Sequence, residues 1–304
     1  MTVSSLTLLI LGRIIAGFTS GSQPIAQAAI IDLSTSENKT RNLGYILLAL
    51  SLGFIVGPLF GGILADHRII SWFDFSTPFY FAAIISFINI ILLWLLFNET
   101  FVSRSTTFSI NLYSAIRIFI SGFKHIKVRN LSFLFFIFIF GWSSFYSFIG
   151  LFLLKVFNFT PTEVSLFMAM MGIGFGIGTG YLVNFVARLF SLRDSFICCI
   201  FISGIMILLM RYIPSSLFNW IMIAPLACFV STGYACILTH FSNQVDESSQ
   251  GWVMGITGSI MALVWAINGI TVGIIAAFNP ATPLLIAGLC LLLTSIAAYY
   301  LSPK

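Results

Sequence analysis

Charge is scarce in this chain. Its 304 residues include 14 lysines and arginines and 9 aspartates and glutamates, 8% charged in all, against 59% hydrophobic residues. So few ionised groups cannot cover a water-soluble surface, and the solvent this composition implies is lipid. A soluble enzyme and a nucleic-acid binder are excluded, although the isoelectric point is about 9.0. The net charge of +5 comes from basic residues between apolar segments, and cytoplasmic enrichment of Lys and Arg accounts for it without an anionic partner. A Gly-x4-Gly-Lys-Ser/Thr loop is also lacking, which leaves an ion gradient as the visible energy source. The five cysteines, Cys198, Cys199, Cys228, Cys236 and Cys290, all lie in apolar stretches. None forms a Cys-x2-Cys pair or has acids or histidines at ligand spacing, so no metal, redox role or cofactor is expected. No basic residue precedes the first apolar run, and Arg13 lies inside it, so Ala26-Gln27-Ala28 is not read as a leader cleavage site.

Acids are missing where they would matter most. Asp32, Glu37, Asp66, Asp74, Glu99, Glu163, Asp194, Asp246 and Glu247 all stand in loops or at helix ends, and no carboxylate falls inside a span. The titratable groups nearest the membrane interior are Asp32 and His240, both near helix ends.

What is there is length and hydrophobicity. At about 20 apolar residues per crossing, nine segments emerge, at roughly 3–31, 43–65, 78–97, 131–154, 163–186, 195–212, 217–240, 252–277 and 282–301. The spacing predicts an all-α polytopic membrane protein. Residues 98–130 carry Arg104, Arg117, Lys124, Lys127 and Arg129, with Leu112, Ile116, Phe119, Phe123 and Ile126 at helical spacing. They read as a basic cytoplasmic connector with an amphipathic helix on the membrane surface, or as a plain solvated linker. If that connector, 32–42, 187–194, 241–251 and the C-terminus face the cytoplasm, they hold ten of the cations. The other side holds Arg68, Lys155 and Arg211. The predicted orientation is therefore N-terminus outside and C-terminus inside.

Glycine is placed with purpose. Residues 44–62 are apolar apart from a ladder of Gly44, Gly53, Gly57, Pro58, Gly61 and Gly62. Gly53, Gly57 and Gly61 are four apart and share one helix face, a groove against which another membrane helix can pack closely. Pro58 has no N–H to donate and predicts a kink. A second ladder runs Gly172, Gly174, Gly176, Gly178, Gly180. Gly172, Gly176 and Gly180 form one small-residue face, open either to a neighbouring helix or to lipid.

The spacing Gly-x8-Gly-x3-Gly-Pro-x2-Gly-Gly over Gly44–Gly62 resembles the fifth-helix antiporter motif of major facilitator superfamily drug:proton antiporters, at all six positions. Gly12-Arg13-Ile14-Ile15-Ala16-Gly17 is similar to the family's fourth-helix Arg-x3-Gly core, and Asp32 to Lys39 to its acidic loop entry. Asn98-Glu99-Thr100 resembles the end of helix six. Gly180-x3-Asn184-x3-Arg188 resembles a degenerate copy of the Gly-x3-Asp-Arg loop, with Asn in place of Asp. A shift of 211 positions lays Lys39 on Gln250, Gly44 on Gly255, Gly57-Pro58 on Asn268-Gly269 and Gly62 on Gly273. That is the parallel repeat expected of the fold.

The resemblance implies a major facilitator fold whose nine helices correspond to helices 4–12 of a twelve-helix bundle. Residues 1–97 would be the remainder of the N-terminal half, 98–130 the connector and 131–304 the six-helix C-terminal half. It also implies secondary active efflux of small hydrophobic or amphipathic compounds by alternating access, coupled to proton antiport. The partners are then the bilayer, a small molecule and a proton, with no nucleic acid, and the location is the cytoplasmic membrane of a bacterium. Arg13 and Asp32 would serve coupling, unless Arg13 snorkels to the interface. The Gly44–Gly62 ladder would serve gating, sealed against Gly172, Gly176 and Gly180. Trp142, Phe145, Tyr146, Trp265, Asn268, Gln23 and Gln27 are candidate substrate contacts, with ordinary packing as the alternative for each. Two other readings stay open: a facilitator for one specific metabolite, and a truncated non-transporting remnant or partner-dependent subunit, which the missing helices favour. Oligomeric state is not legible.

Overall fold

The computed structural model describes residues 6–18, 29–30, 33–34, 39–97, 126–245 and 250–301. Among them there are nine helices and no strand. In chain order they are α1 (Leu6–Phe18), α2 (Lys39–Ala65), α3 (Thr77–Leu96), α4 (Ile126–Val156), α5 (Pro161–Leu189), α6 (Leu192–Tyr212), α7 (Ser216–Ser242), α8 (Gln250–Phe278) and α9 (Thr282–Leu301). Seven of them, α3 to α9, are long and apolar enough to cross a membrane, judged on the described residues. This is an all-α integral membrane protein. α2 has 27 residues, about 40 Å at 1.5 Å per residue, which is also a bilayer's width. It runs through Pro58 as one helix.

Helix starts follow from local chemistry. Thr160-Pro-Thr-Glu163 is a reciprocal capping box: the Thr160 N–H donates to Glu163 Oε2 at 2.7 Å and the Glu163 N–H to Thr160 Oγ1 at 3.2 Å. Ser191 Oγ accepts from the Asp194 N–H at the start of α6, and Ser215 Oγ from the Phe218 N–H at the start of α7. Asp74 Oδ1 accepts from the N–H groups of Ser76 and Thr77 at the start of α3. α4 begins five residues before the apolar run that predicts it, so residues 126–130 belong to this helix. The remainder of the connector and its amphipathic pattern lie outside the described residues.

The chain divides into two compact units: Met1–Ser109 with Thr160–Ala169, and Ile110–Phe159 with Met170–Lys304. In the first, α2 packs on α3, with Phe60 and Phe81 stacked at 5.9 Å between ring centroids. In the second, α9 packs against α6 and α4, α7 against α6, and α8 against α4. Small residues set these approaches. A methyl group on Gly204 of α6 would stand 3.1 Å from the Gly288 carbonyl oxygen of α9, and one on Gly141 of α4 would stand 2.9 Å from Cys290 Cβ. Lipid gives no hydrophobic drive between helices, so such backbone approach supplies the packing energy. Phe135, Phe138, Phe152 and Leu134 fill the centre, fully or almost fully buried.

Candidate functional site

Two places gather the residues that the sequence singles out. The first is α2. Gly44, Gly53, Gly57, Pro58, Gly61 and Gly62 all lie on this helix. A methyl group on Gly53, Gly57 or Gly61 meets no atom within 4 Å among the described residues, so their face is open within its unit. Gly62 differs. A Cβ there would overlap Ser165 Cβ and Oγ and stand 2.8 Å from the Pro161 carbonyl oxygen, so the end of α2 lies directly on the first turns of α5. Just beyond, Asp66 Oδ2 accepts a 2.7 Å hydrogen bond from Thr162 Oγ1, and Asp66 Oδ1 accepts from the Arg68 N–H at 3.0 Å. These bonds, Thr162's first, hold the Asp66 carboxyl below its ordinary 3.8. Arg13 is on α1 and exposed. Asp32, Gln23 and Gln27 lie outside the described residues.

The described acids all serve helix ends. Asp66 joins α2 to α5, Asp74 caps α3, Glu163 closes the α5 capping box and Asp194 sits in the first turn of α6. Among the described residues none is left inside a helix for proton transfer.

The second place is a ring cluster on α4, α5 and α8. Trp142, Phe145 and Tyr146 stand at i, i+3 and i+4 and so share one face of α4. Trp142, 8% exposed, stacks on Phe145 at 5.5 Å, meets Tyr146 at 6.1 Å and takes Phe175 of α5 edge-on at 5.5 Å. Tyr146 meets Trp265 of α8 edge-on at 5.8 Å. Phe145 is fully buried and backs the cluster, while Trp265, at 38%, is its most open ring. Phe175 is the member that sequence reasoning missed, because a phenylalanine inside a glycine ladder gives no local signal.

Asn268 stands one turn along α8 from Trp265 and is fully buried. Its Nδ2 donates to Ser144 Oγ at 2.6 Å and to the Phe140 carbonyl at 3.3 Å. Ser144 Oγ itself donates to the Phe140 carbonyl at 2.7 Å. The Asn268 amide thus ties α8 to α4. Among the described residues Asn268 Oδ1 has no hydrogen-bond partner.

The second glycine ladder is divided. Gly174 and Gly178 lie on α7: a methyl on Gly174 would overlap the Ala224 carbonyl, and one on Gly178 would overlap the Cys228 carbonyl and Ser231 Oγ. Gly172 is buried, whereas Gly176 and Gly180 have nothing within 4 Å among the described residues. At Gly178–Leu182 α5 passes through a π-helical turn. Two hydroxyls of α7 face this stretch: Thr232 Oγ1 is 3.2 Å from the Gly178 carbonyl and Ser231 Oγ 3.4 Å from the Phe175 carbonyl, while each is closer to the Cys228 carbonyl of its own helix, at 2.8 and 3.1 Å.

An all-α membrane protein with a glycine–proline ladder on one helix and a ring cluster shared by three others has the build of a polytopic transporter. Residues 1–269 match the model of the Major Facilitator Superfamily, and the chain belongs to that family. It is a transporter family, not one of enzymes. The chain is 26% identical over 277 residues to the tetracycline resistance protein, class H, of Pasteurella multocida, covering 86% of this chain and 66% of that protein. It is 25% identical over 274 residues to the quinolone resistance protein NorA of Staphylococcus aureus (strain MRSA252), covering 84% and 64%. The chain thus spans just under two thirds of the length of these relatives. Among solved structures, a bacterial homologue of the human lysosomal transporter Spinster, inward-facing and occupied, superposes with a TM-score of 0.70 at 14% identity. That superposition covers 98% of this chain and 77% of the other.

Proposed function

We propose that this protein is a secondary active exporter of small hydrophobic or amphipathic compounds, working by alternating access with proton antiport in the cytoplasmic membrane of a bacterium. The observation that carries the reading is the Trp142–Tyr146–Phe175–Trp265 cluster. Stacked rings accept flat or greasy molecules of many shapes. The relatives named for tetracycline and quinolone resistance support an exporter. So does the Gly44–Gly62 ladder, whose open face suits the close helix approach that gating requires. In this reading Gly53, Gly57 and Gly61 close on Gly172, Gly176 and Gly180 in one half of the cycle. Residues 1–97 belong to the N-terminal half, 98–130 connect, and 131–304 form the C-terminal half, with the N-terminus outside and the C-terminus inside. Arg13 and Asp32 serve proton coupling, and Gln23 and Gln27 line the path.

One observation favours a second reading, a facilitator that moves its substrate without protons: all four described carboxylates are engaged at helix ends. Everted membrane vesicles containing the chain decide between the two. Proton-coupled export predicts that a lipophilic cationic dye accumulates in them under an inward-acid pH gradient. The accumulation collapses when the gradient is dissipated and falls at least tenfold in Arg13→Ala. Dye movement that ignores the gradient supports the facilitator, and no movement above empty-vesicle controls overturns both.

A further inference from the structure

The end of α2 meets the start of α5 through groups that can part without leaving either side incomplete. Asp66 Oδ2 accepts from Thr162 Oγ1 at 2.7 Å, while Asp66 Oδ1 stays on the Arg68 N–H of its own loop at 3.0 Å. On the other side, the first turn of α5 is closed by the Thr160–Glu163 capping box and needs nothing from Asp66. Each partner is therefore shaped before the two meet. Gly62 lets the backbones approach over Ser165, and Asp66 and Ser165 are each only 4% exposed. The contact nevertheless lies at a rim, because His67, Arg68 and Glu163 beside it in sequence are exposed. Once the pair separates, water can take over both the carboxylate and the hydroxyl, so neither is left buried and unpaired. The seats of Gly174 and Gly178 on α7 are the opposite case. They interlock with backbone carbonyls in the middle of a long apolar helix, where no water replaces what parting removes.

We propose that Asp66 and Thr162 form a reversible latch between α2 and α5, joined in the conformation described, parted in the opposite conformation of the transport cycle, and setting the balance between the two. The inference rests on the exporter reading, in which α2 and α5 belong to halves that move against each other. It goes further in naming a pair outside the glycine ladder, and a hydrogen bond in place of small-residue packing, as what holds the end of α2. A bond of this kind, to a charged acceptor, shifts a two-state balance about tenfold or more.

The test locks the pair. In Asp66→Cys/Thr162→Cys the two thiols are bridged by a short bis-methanethiosulfonate, and movement of a lipophilic cationic dye is followed in everted vesicles. The expected result is a fall of at least tenfold on bridging, recovered when dithiothreitol cuts the bridge, with each single-cysteine variant unaffected by the reagent. Undiminished dye movement with the bridge complete by mass overturns the proposal, because a static anchor can be locked without stopping transport, and the exporter reading then stands. Absence of dye movement in the wild type overturns the exporter reading and the latch with it. Thr162→Val, which keeps the shape and loses the hydroxyl, decides independently of whether the double variant is active. Its expected result is amide exchange about tenfold faster in the last turn of α2 and the first turns of α5 together, with slower exchange at the far end of α5. Thr162→Ser, which restores the hydroxyl, is expected to keep wild-type rates. Faster exchange at the first end alone, or no change at either end, marks a static contact and overturns the proposal.

Discussion

Asp66 and Thr162, 96 positions apart in the chain, meet in a 2.7 Å hydrogen bond that ties the end of α2 to the first turn of α5. Gly62 makes the approach possible, since any side chain there would run into Ser165. Asp66 is only 4% exposed. The end of the glycine-rich helix is thus anchored by one close backbone contact and one charged hydrogen bond.

The pH dependence of this anchor has a definite sign. The Thr162 hydroxyl, then the Arg68 N–H, lowers the folded-state value of Asp66 below its ordinary 3.8. The carboxylate therefore stabilises the fold above about pH 4, and that stability is lost as pH falls through the lowered value. Thermal melting of the detergent-solubilised protein across pH 3–7 should show a decline at the acid end. Thr162→Val should lower the melting temperature at pH 7 and flatten the acid decline. An unchanged profile in that variant would remove the anchor from the account.

Gly174 and Gly178 are expected to tolerate no side chain. A methyl group on either overlaps a backbone carbonyl of α7, which has no flexible end to move aside. Overpacking of this kind costs about 1–3 kcal/mol. Gly174→Ala and Gly178→Ala should each melt several degrees below the wild type, whereas Gly176→Ala and Gly180→Ala should lie within about 0.5 kcal/mol of it. Equal effects at all four positions would contradict the packing described.

How far the sequence reached is clear from these same residues. The seven later spans are long apolar runs legible in the sequence, and the structure carries them as helices. Which glycine face packs on α7 was not legible. A ladder of alternate glycines offers two overlapping faces, Gly172-176-180 and Gly174-178, and only the neighbour decides between them. The π turn at Gly178–Leu182 adds a shift in register that no single residue announces. Asn268 stands out as the one asparagine of an apolar helix, but its partner Ser144 is 124 positions away. Phe175 is one of 33 phenylalanines, and only its contact with Trp142 distinguishes it.

The two glycine groups of α2 should separate in experiment. Gly62→Ala must displace Ser165 and is expected to lower stability measured by thermal melting. Gly53→Ala, Gly57→Ala and Gly61→Ala meet nothing within 4 Å among the described residues, so their melting temperatures should stay near the wild type. If the open face serves gating, these three variants should nevertheless slow dye movement in vesicles at least tenfold. Normal transport in all three would leave the face to lipid.

The account rests on the ring cluster as the place where substrate binds, and Trp142 is its centre. The most direct measurement is the equilibrium affinity of a lipophilic cationic dye for the purified chain. Wild type and Trp142→Leu are compared. The account predicts that Trp142→Leu binds at least tenfold more weakly while its melting temperature remains measurable. Equal affinity in Trp142→Leu would contradict it, placing the dye away from the cluster.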